Sequence, residues 1–300
     1  VPVRLYLTDQ ADEWQRFVTR LPEHLRDVHF LPGMMAPYEA CGMGQGMLLV
    51  DESPNGFLIQ PLLRNTNGEI RHPFNFGGPI ATPDHNQPTP ELRGPVFCTL
   101  NPFLAEEQRK LVNGADHTKD VVWVDLTGSI KLRQTTRHCV QKAEHAGATF
   151  EAVEPKGYVQ MAQFHGMYIA TMQRNNAKPH WLFPLQWYIS FLHNLQHHAT
   201  LFLAYIEGRV LAGCILLHGF RTCYYHFAAS TGEDPNINHF MVAKAIEWAQ
   251  VNGHKRFHLG GGVAPDDGLF RFKAGFSTLR APVYQYQWGG PWQNAQSALR

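Results

Sequence analysis

What this chain lacks narrows its function before any motif is read. It carries five cysteines, Cys41, Cys98, Cys139, Cys214 and Cys223, an odd number with no Cys-x-x-Cys pair. That pattern argues against a disulfide framework or a structural zinc site and fits reduced thiols. No apolar run approaches the length that a bilayer-spanning helix needs. Val1 to Trp14 is interrupted by charges and lacks the apolar core of a signal peptide, so a soluble, cytoplasmic protein is expected. Net charge is also missing: at +1 the chain has no electrostatic footprint for wrapping a duplex, although a local contact with one nucleic-acid end stays open. Charged residues at 17% are too few for a disordered chain, and 44% hydrophobic residues can build one large core or two of ordinary size.

The most informative stretch runs from His258 to Phe276, HLGGGVAPDDGLFRFKAGF. It reads as a strand end, the triplet Gly260-Gly261-Gly262, a loop, and a short element with Lys273 set among Phe272 and Phe276. Glycines after a strand let the backbone approach a ligand closely. A cation against apolar walls acts strongly on a developing negative charge. The plainer reading is a turn followed by a packed aromatic helix.

The second half parses into a strand (Ala148–Val153), a helix (Tyr158–Asn175) and a helix opened by Pro184 with Leu185, Tyr188, Leu192 and Leu195 on one face. A meander follows: Leu201–Ile206, a Glu207-Gly208 turn, Val210–Leu217, a Gly219 break, and Cys223–Ala228. Asn238 is read as the cap of a helix Phe240–Val251, and Arg256–Leu259 as the next strand. The first half repeats this β-α-α-β-β-β-α-β order. Its pieces are strand Val3–Leu7, a helix through Trp14 and Phe17 after Thr8/Asp9, and a short helix near Met34–Ala40. Strands Met47–Val50, Phe57–Leu63 and Ile70–Phe76, helix Pro102–Val112 and strand Val121–Leu126 complete it. Phe74–Gly78 echoes Tyr225–Ala229, and Val112-Asn113-Gly114 echoes Val251-Asn252-Gly253. The expected organisation is a first domain over 1–128, a linking helix over 129–146, and a second domain over 147–300 whose C-terminal tail packs on the first. The linking helix carries Lys131, Arg133, Arg137 and Lys142, read as a solvated face, and Pro79–Pro95 reads as a loop.

This element order, with Gly208–Gly213 in the meander, resembles the GNAT acyltransferase fold. Two such domains ending in Leu259–Gly262 and Leu269–Phe276 resemble the FemABX family, whose members transfer amino acids from aminoacyl-tRNA to amines, typically on peptidoglycan precursors. Tyr168–Arg174 with its Thr-x-x-Arg end, Tyr225–Ser230, Trp248-Ala249 and Arg133/Arg137 carry the likeness further. It implies an α/β fold of two tandem GNAT-like domains, their mixed, mostly antiparallel sheets flanked by helices. It also implies an aminoacyltransferase with aminoacyl-tRNA as co-substrate, contacted at its acceptor end only, and neither metal nor organic cofactor. The likeness is to compact members without a coiled-coil arm. Where peptidoglycan-directed members carry a lysine for the nucleotide-sugar diphosphate, this chain reads Pro32-Gly33-Met34-Met35-Ala36-Pro37-Tyr38. A small natural-product amine therefore stands beside a cell-wall precursor as acceptor, for a monomer or dimer. The first domain, with no equivalent of Phe272-Lys273, is read as degenerate.

Under that resemblance Lys273 and Phe272 are the catalytic candidates. The cleft lies where strands Cys223–Ala229 and Arg256–Leu259 splay, with Tyr225, Ser230, Asn236, Asn238 and His239 at the opening and Gly260, Gly261, Gly262 and Phe276 in its wall. Tyr38, Thr171, Arg174 and Tyr188 complete the substrate-binding set. The rival reading is an acyl-CoA-dependent N-acyltransferase. Against it, the turn Ser230–Asn238 has one glycine, two acids and a proline, a poor pyrophosphate cradle. Cys41–Gly46 is glycine-rich but precedes a strand and fails as a phosphate loop. A third reading is a binding module that kept the fold and lost catalysis. His193 and His197 have a zinc-like spacing on one helix, but no acid follows His193, and no metal site is expected. His226, His239 and His258 read as core or rim residues, with His239 and His258 the candidate bases. Trp14, Trp123, Trp181, Trp187 and Trp248 are expected in the core.

Overall fold

The computed structural model of the chain describes residues 3–85, 96–112, 114–153, 157–264 and 266–288. Two compact units emerge, one from the chain up to Lys119 together with the closing strand from Pro282, the other from Asp120 to Ala281. The sheet in each is mixed and mostly antiparallel, as the sequence leads one to expect.

The first unit opens with β1 (Arg4–Leu7), α1 (Ala11–Arg20), α2 (Ala36–Ala40), β2 (Gly44–Ser53) and β3 (Gly56–Asn65). It continues with β4 (Ile70–Arg71), β5 (Ile80–Ala81), β6 (Val96–Thr99), α3 (Ala105–Lys110) and β7 (Asp116–Asp125), whose last residues belong to the second unit. In α1 the apolar residues Trp14, Phe17 and Val18 share one face and are buried. Pro22 ends the helix by forcing Leu21 into extended backbone. The Trp14 indole is fully enclosed and donates to the Phe30 carbonyl at 2.7 Å, so its polar atom is satisfied.

Three expectations shrink here. The strand read as Ile70–Phe76 ends at Arg71, because Pro73 has no N–H to donate and Asn75 adopts a positive φ of 85°. Phe74–Gly78 is therefore a bent segment and does not echo the strand Tyr225–Ala229. The helix read as Pro102–Val112 is only Ala105–Lys110. The last part of the Pro79–Pro95 loop, from residue 86, and Asn113 lie outside the described residues.

The second unit contains α4 (Gln134–His145), β8 (Thr149–Ala152), α5 (Tyr158–Arg174), α6 (Leu185–Asn194), β9 (Ala199–Ile206) and β10 (Arg209–Gly219). Then come β11 (Thr222–Ser230), α7 (Pro235–Val251), β12 (Arg256–Gly260), α8 (Gly268–Ala274) and β13 (Arg280–Trp288). Strands β8, β9, β10 and β11 are antiparallel neighbours, β12 is parallel to β11, and β7 pairs antiparallel with β12. The β9–β10 turn has positive φ at both Glu207 (51°) and Gly208 (74°), the geometry that suits a two-residue hairpin. The next turn falls at Phe220, with φ of 52°, one residue past the Gly219 break. Beyond it, β13 runs back into the first unit, where Gln285 pairs with Thr99 of β6.

Both faces of this sheet are covered, so its strands read as apolar runs. Phe202, Ala212, Cys214 and Leu216 pack with α4 and α7 residues such as Val140, Ala143, Phe240 and Ile246. On the α5–α6 side, the Phe227 ring of β11 meets Tyr168 (5.7 Å), Trp187 (5.7 Å), Tyr188 (5.2 Å) and Phe191 (6.0 Å). The buried face of α6 is thus Trp187, Tyr188 and Phe191, whereas Leu185 and Leu192 are only half-buried. The linking helix is also shorter than expected. Residues 129–133 are not helical, since Arg133 has extended ψ of 146° and donates its N–H to Gly275 O at 3.0 Å. Lys131, Arg133, Arg137 and Lys142 are exposed, a solvated face.

Gly213 of β10 sets how close α5 approaches: a Cβ there would lie 2.9 Å from Phe164 Cδ2 and 2.8 Å from Leu203 Cδ2. Gly213→Val should destabilise the second unit by about 1–3 kcal/mol through overpacking, read as a lower urea midpoint at unchanged slope. An unchanged midpoint would contradict this packing.

Candidate active site

The glycine-rich segment begins where two strands part. The β11–β12 ladder holds three pairs, Thr222–Arg256, Cys223–Phe257 and Tyr224–His258, and then stops, while β11 runs on to Ser230. At the end of β12, Gly260 takes φ of +81°, and a Cβ there would sit 3.1 Å from Lys273 Nζ. The positive φ favours glycine here, and a side chain would crowd the ammonium. Lys273 Nζ donates to Gly261 O at 2.8 Å. Gly262 lies against the Asp267 carboxylate so closely that a Cβ would overlap it.

Asp267 ties the loop to the helix that carries the lysine. It caps α8 by accepting from Phe270 N at 2.7 Å, and it takes Val263 N (2.7 Å) and Ala264 N (3.0 Å) across the loop. These backbone donors hold its pKa below the ordinary carboxylate value. At the other end of α8, a Cβ on Gly275 would overlap the buried Thr136 hydroxyl of α4. Phe276, 1% exposed, then plugs the helix into the core. Lys273, Gly275 and Phe276 therefore each have a separate physical duty.

His239 of α7 joins them. Its ring stands edge-on to Phe272 at 4.8 Å and stacks on Phe276 at 6.0 Å. Its Nδ1 donates to Pro235 O across a long 3.4 Å, and because a carbonyl only accepts, the neutral ring keeps its lone pair on Nε2. Burial lowers its pKa below 6.5, which favours that neutral form near pH 7. The other candidate base, His258, is buried (3%) under the strand end, 5.3 Å from the Tyr224 ring.

The remaining candidates divide into groups. Thr171, Arg174, Ser230 and Asn238 meet at the end of β11: Arg174 donates to Ser230 O and to Thr171 Oγ1 (3.1 Å), Ser230 N donates to Thr171 Oγ1 (3.2 Å), and Asn238 Nδ2 donates to Ser230 Oγ (3.2 Å). Asn238 does not cap α7. The helix starts earlier, at Pro235, and Asp234 caps it by accepting from Asn236 N at 2.7 Å. Tyr225 is half-buried, with burial raising its pKa well above 10. Tyr188 is wholly inside the aromatic cluster beside Tyr168, and burial raises both their pKa values, that of Tyr168 to about 12. Tyr38, in the first unit, is buried and accepts from Phe74 N at 3.0 Å.

Sequence reading missed the role of Asp267, although an aspartate just before Gly268-Leu269-Phe270 is a visible helix-cap signal. It also placed Trp181 in the core, whereas the structure leaves it 39% exposed in the α5–α6 connection. His197 lies beyond the end of α6, so it does not share a helix face with His193. Among the described residues no cluster of three His, Cys, Asp or Glu is placed to hold a metal. No helix among them is long and apolar enough to cross a membrane. A groove of about 600 Å³ lined by Phe150, Phe240, Lys244 and Trp248 contains none of the residues around Lys273.

The acetyltransferase (GNAT) domain family matches residues 131–273, which span the meander, the strand parting and Lys273. The chain superposes on the structure of FemX with a TM-score of 0.65 at 12% identity, covering 100% of both chains. It superposes on L-PGS from Bacillus licheniformis with a TM-score of 0.62 at 11% identity, covering 96% of this chain and 95% of that one. No curated protein matches the sequence. What the chain shares with FemX and L-PGS is the fold.

The Asp267 ties have a pH signature. A depressed folded-state pKa contributes stability above the unfolded carboxylate value, and this is lost as pH falls through the folded value. The melting-temperature gap between wild type and Asp267→Ala should be present at neutral pH and close in acid below the ordinary carboxylate range. A gap independent of pH would contradict the capping role.

Proposed function

We propose that this protein is a Fem-like aminoacyltransferase that moves an aminoacyl group from aminoacyl-tRNA onto an amine, either a natural-product intermediate or a peptidoglycan precursor. The observation that carries the reading is Lys273, an ammonium seated at the parting of β11 and β12 among aromatic rings. The ester is already activated, so the protein must align the amine and stabilise the oxyanion. The amine nitrogen attacks the ester carbonyl, a C–N bond forms, and the tetrahedral oxygen takes its charge beside Lys273 Nζ. The C–O bond to the ribose then breaks, and the ribose oxygen leaves with the proton that His239 passes on from the attacking nitrogen. Nε2 of His239 takes the proton that the attacking nitrogen loses. Thr171, Arg174, Ser230, Asn236 and Asn238 form the rim on which the acceptor is ordered.

The acyl-CoA alternative is disfavoured by the α7 N-terminus. Asp234 already accepts the Asn236 N–H there and Pro235 has no N–H to give, so a carboxylate stands where a pyrophosphate would need donors.

The test supplies charged tRNA or acyl-CoA with candidate amines and follows amide formation. Transfer from charged tRNA, abolished by ribonuclease, is expected; transfer that needs acyl-CoA and survives ribonuclease would overturn the reading. In single turnover, Lys273→Ala should slow the reaction about 100-fold or more, by the measure of a lost oxyanion donor. Since the His239 pKa is lowered, the wild-type rate should climb with pH through a midpoint below 6.5, and His239→Gln should lose that acid limb. A limb retained by His239→Gln would remove the imidazole from the proton transfer.

A further inference from the structure

Between α5 and α6 the chain holds an aromatic and cationic loop in solvent. Lys178, Pro179, His180, Trp181 and Leu182 are all exposed, with Trp181 and Leu182 at 39% each. The rings of His180 and Trp181 lie 5.6 Å apart on a single 3-10 turn, Pro179–Trp181. Both stems are fixed. On one side Arg174 is bonded to Ser230 O at the end of β11. On the other, Phe183 is buried, stacks on Trp187 at 4.3 Å, and has its carbonyl 3.0 Å from His165 Nε2. With both stems fixed, an indole left 39% exposed offers part of its surface to a ligand.

Charge indicates which ligand. From Pro155 to Ile206 the sequence has no aspartate or glutamate, while it carries Lys156, Arg174 and Lys178 and the histidines 165, 180, 193, 197 and 198. In the turn after β11, Glu233 is paired with Arg209 at 2.7 Å and Asp234 accepts from Asn236 at 2.7 Å. A nearly neutral chain thus keeps one acid-free stretch of sequence around a partly exposed indole. That combination suits single-stranded nucleic acid, where bases stack on aromatic rings and few phosphates are met.

We propose that this loop docks single-stranded RNA, the unpaired acceptor end of the tRNA, with a base stacked on Trp181 and a phosphate met by Lys178. The proposal rests on the tRNA-dependent reading above and names a surface for the donor that the cleft itself does not provide. The probe is a short unstructured RNA ending in CCA, labelled at its 5′ end and followed by fluorescence anisotropy with the full chain. Trp181→Ala should weaken binding roughly tenfold, with Trp181→Phe close to wild type. Lys178→Ala should weaken binding and lower the slope of log affinity against log salt by about 0.7. Circular dichroism of each variant should match wild type, because these side chains are outside the core. If both alanine variants bind the RNA as wild type does while charged tRNA still serves as donor, the docking surface is wrong and the transfer reading stands. If Trp181→Ala leaves RNA binding alone and raises only the KM of the amine, the loop serves the acceptor and the proposal is overturned. If wild type neither binds the RNA nor uses charged tRNA, both readings fall.

Discussion

The ammonium of Lys273 rests 2.8 Å from the Gly261 carbonyl because backbones approach one another there more closely than side chains would allow. Gly260 makes room for the lysine tip, Gly262 for the Asp267 carboxylate, and Gly275 for Thr136. Each approach removes one degree of freedom from the short helix α8. Its start is fixed to the loop by Asp267, its end is fixed against α4, and Phe276 anchors its last turn in the core. A long, flexible cation is thereby held at one position before any substrate arrives, which is the condition for electrostatic stabilisation without reorganisation.

The surroundings of that cation follow from how the second unit is layered. The sheet is buried on both faces, so the strands cannot offer polar chemistry along their length; they offer it where β11 and β12 part. Helix α7 brings His239 to this place and leaves Asp234 at its own N-terminus. One helix end is therefore already neutralised by a carboxylate, while His239 one turn further on rests against the rings of Phe272 and Phe276. The cluster around Phe227 gives the β11 wall its stiffness and holds the stem of the α5–α6 loop in place.

Much of this was legible in the sequence because the local signals agree with the tertiary structure. Hydrophobic alternation and turn residues such as Glu207-Gly208 marked the meander, and the segment from Gly260 to Phe276 stood out as a strand end, a loop and a lysine among aromatics. The boundaries that failed did so for nameable reasons. Asn238 is an acceptable cap in isolation, but Asp234 before Pro235 is better, and the helix gains a turn from it. Ile70–Phe76 has strand-like residues, yet Pro73 and the left-handed Asn75 end the ladder. Trp181 reads as core because it falls on an apolar face, yet it lies in the α5–α6 connection and is 39% exposed, whereas Phe183 and Trp187 stack inside. The functions of Gly262 and Gly275 were hidden because their partners, Asp267 and Thr136, meet them only through tertiary packing.

The central claim is that Lys273 faces the reacting carbonyl, and a crystal structure with a hydrolysis-resistant aminoacyl-adenosine, in which an amide replaces the ester, tests it most directly. The account predicts the carbonyl oxygen of the analogue within hydrogen-bonding distance of Lys273 Nζ at the parting of β11 and β12. An analogue bound elsewhere, or a Lys273 ammonium out of reach of that oxygen in the bound state, would contradict it.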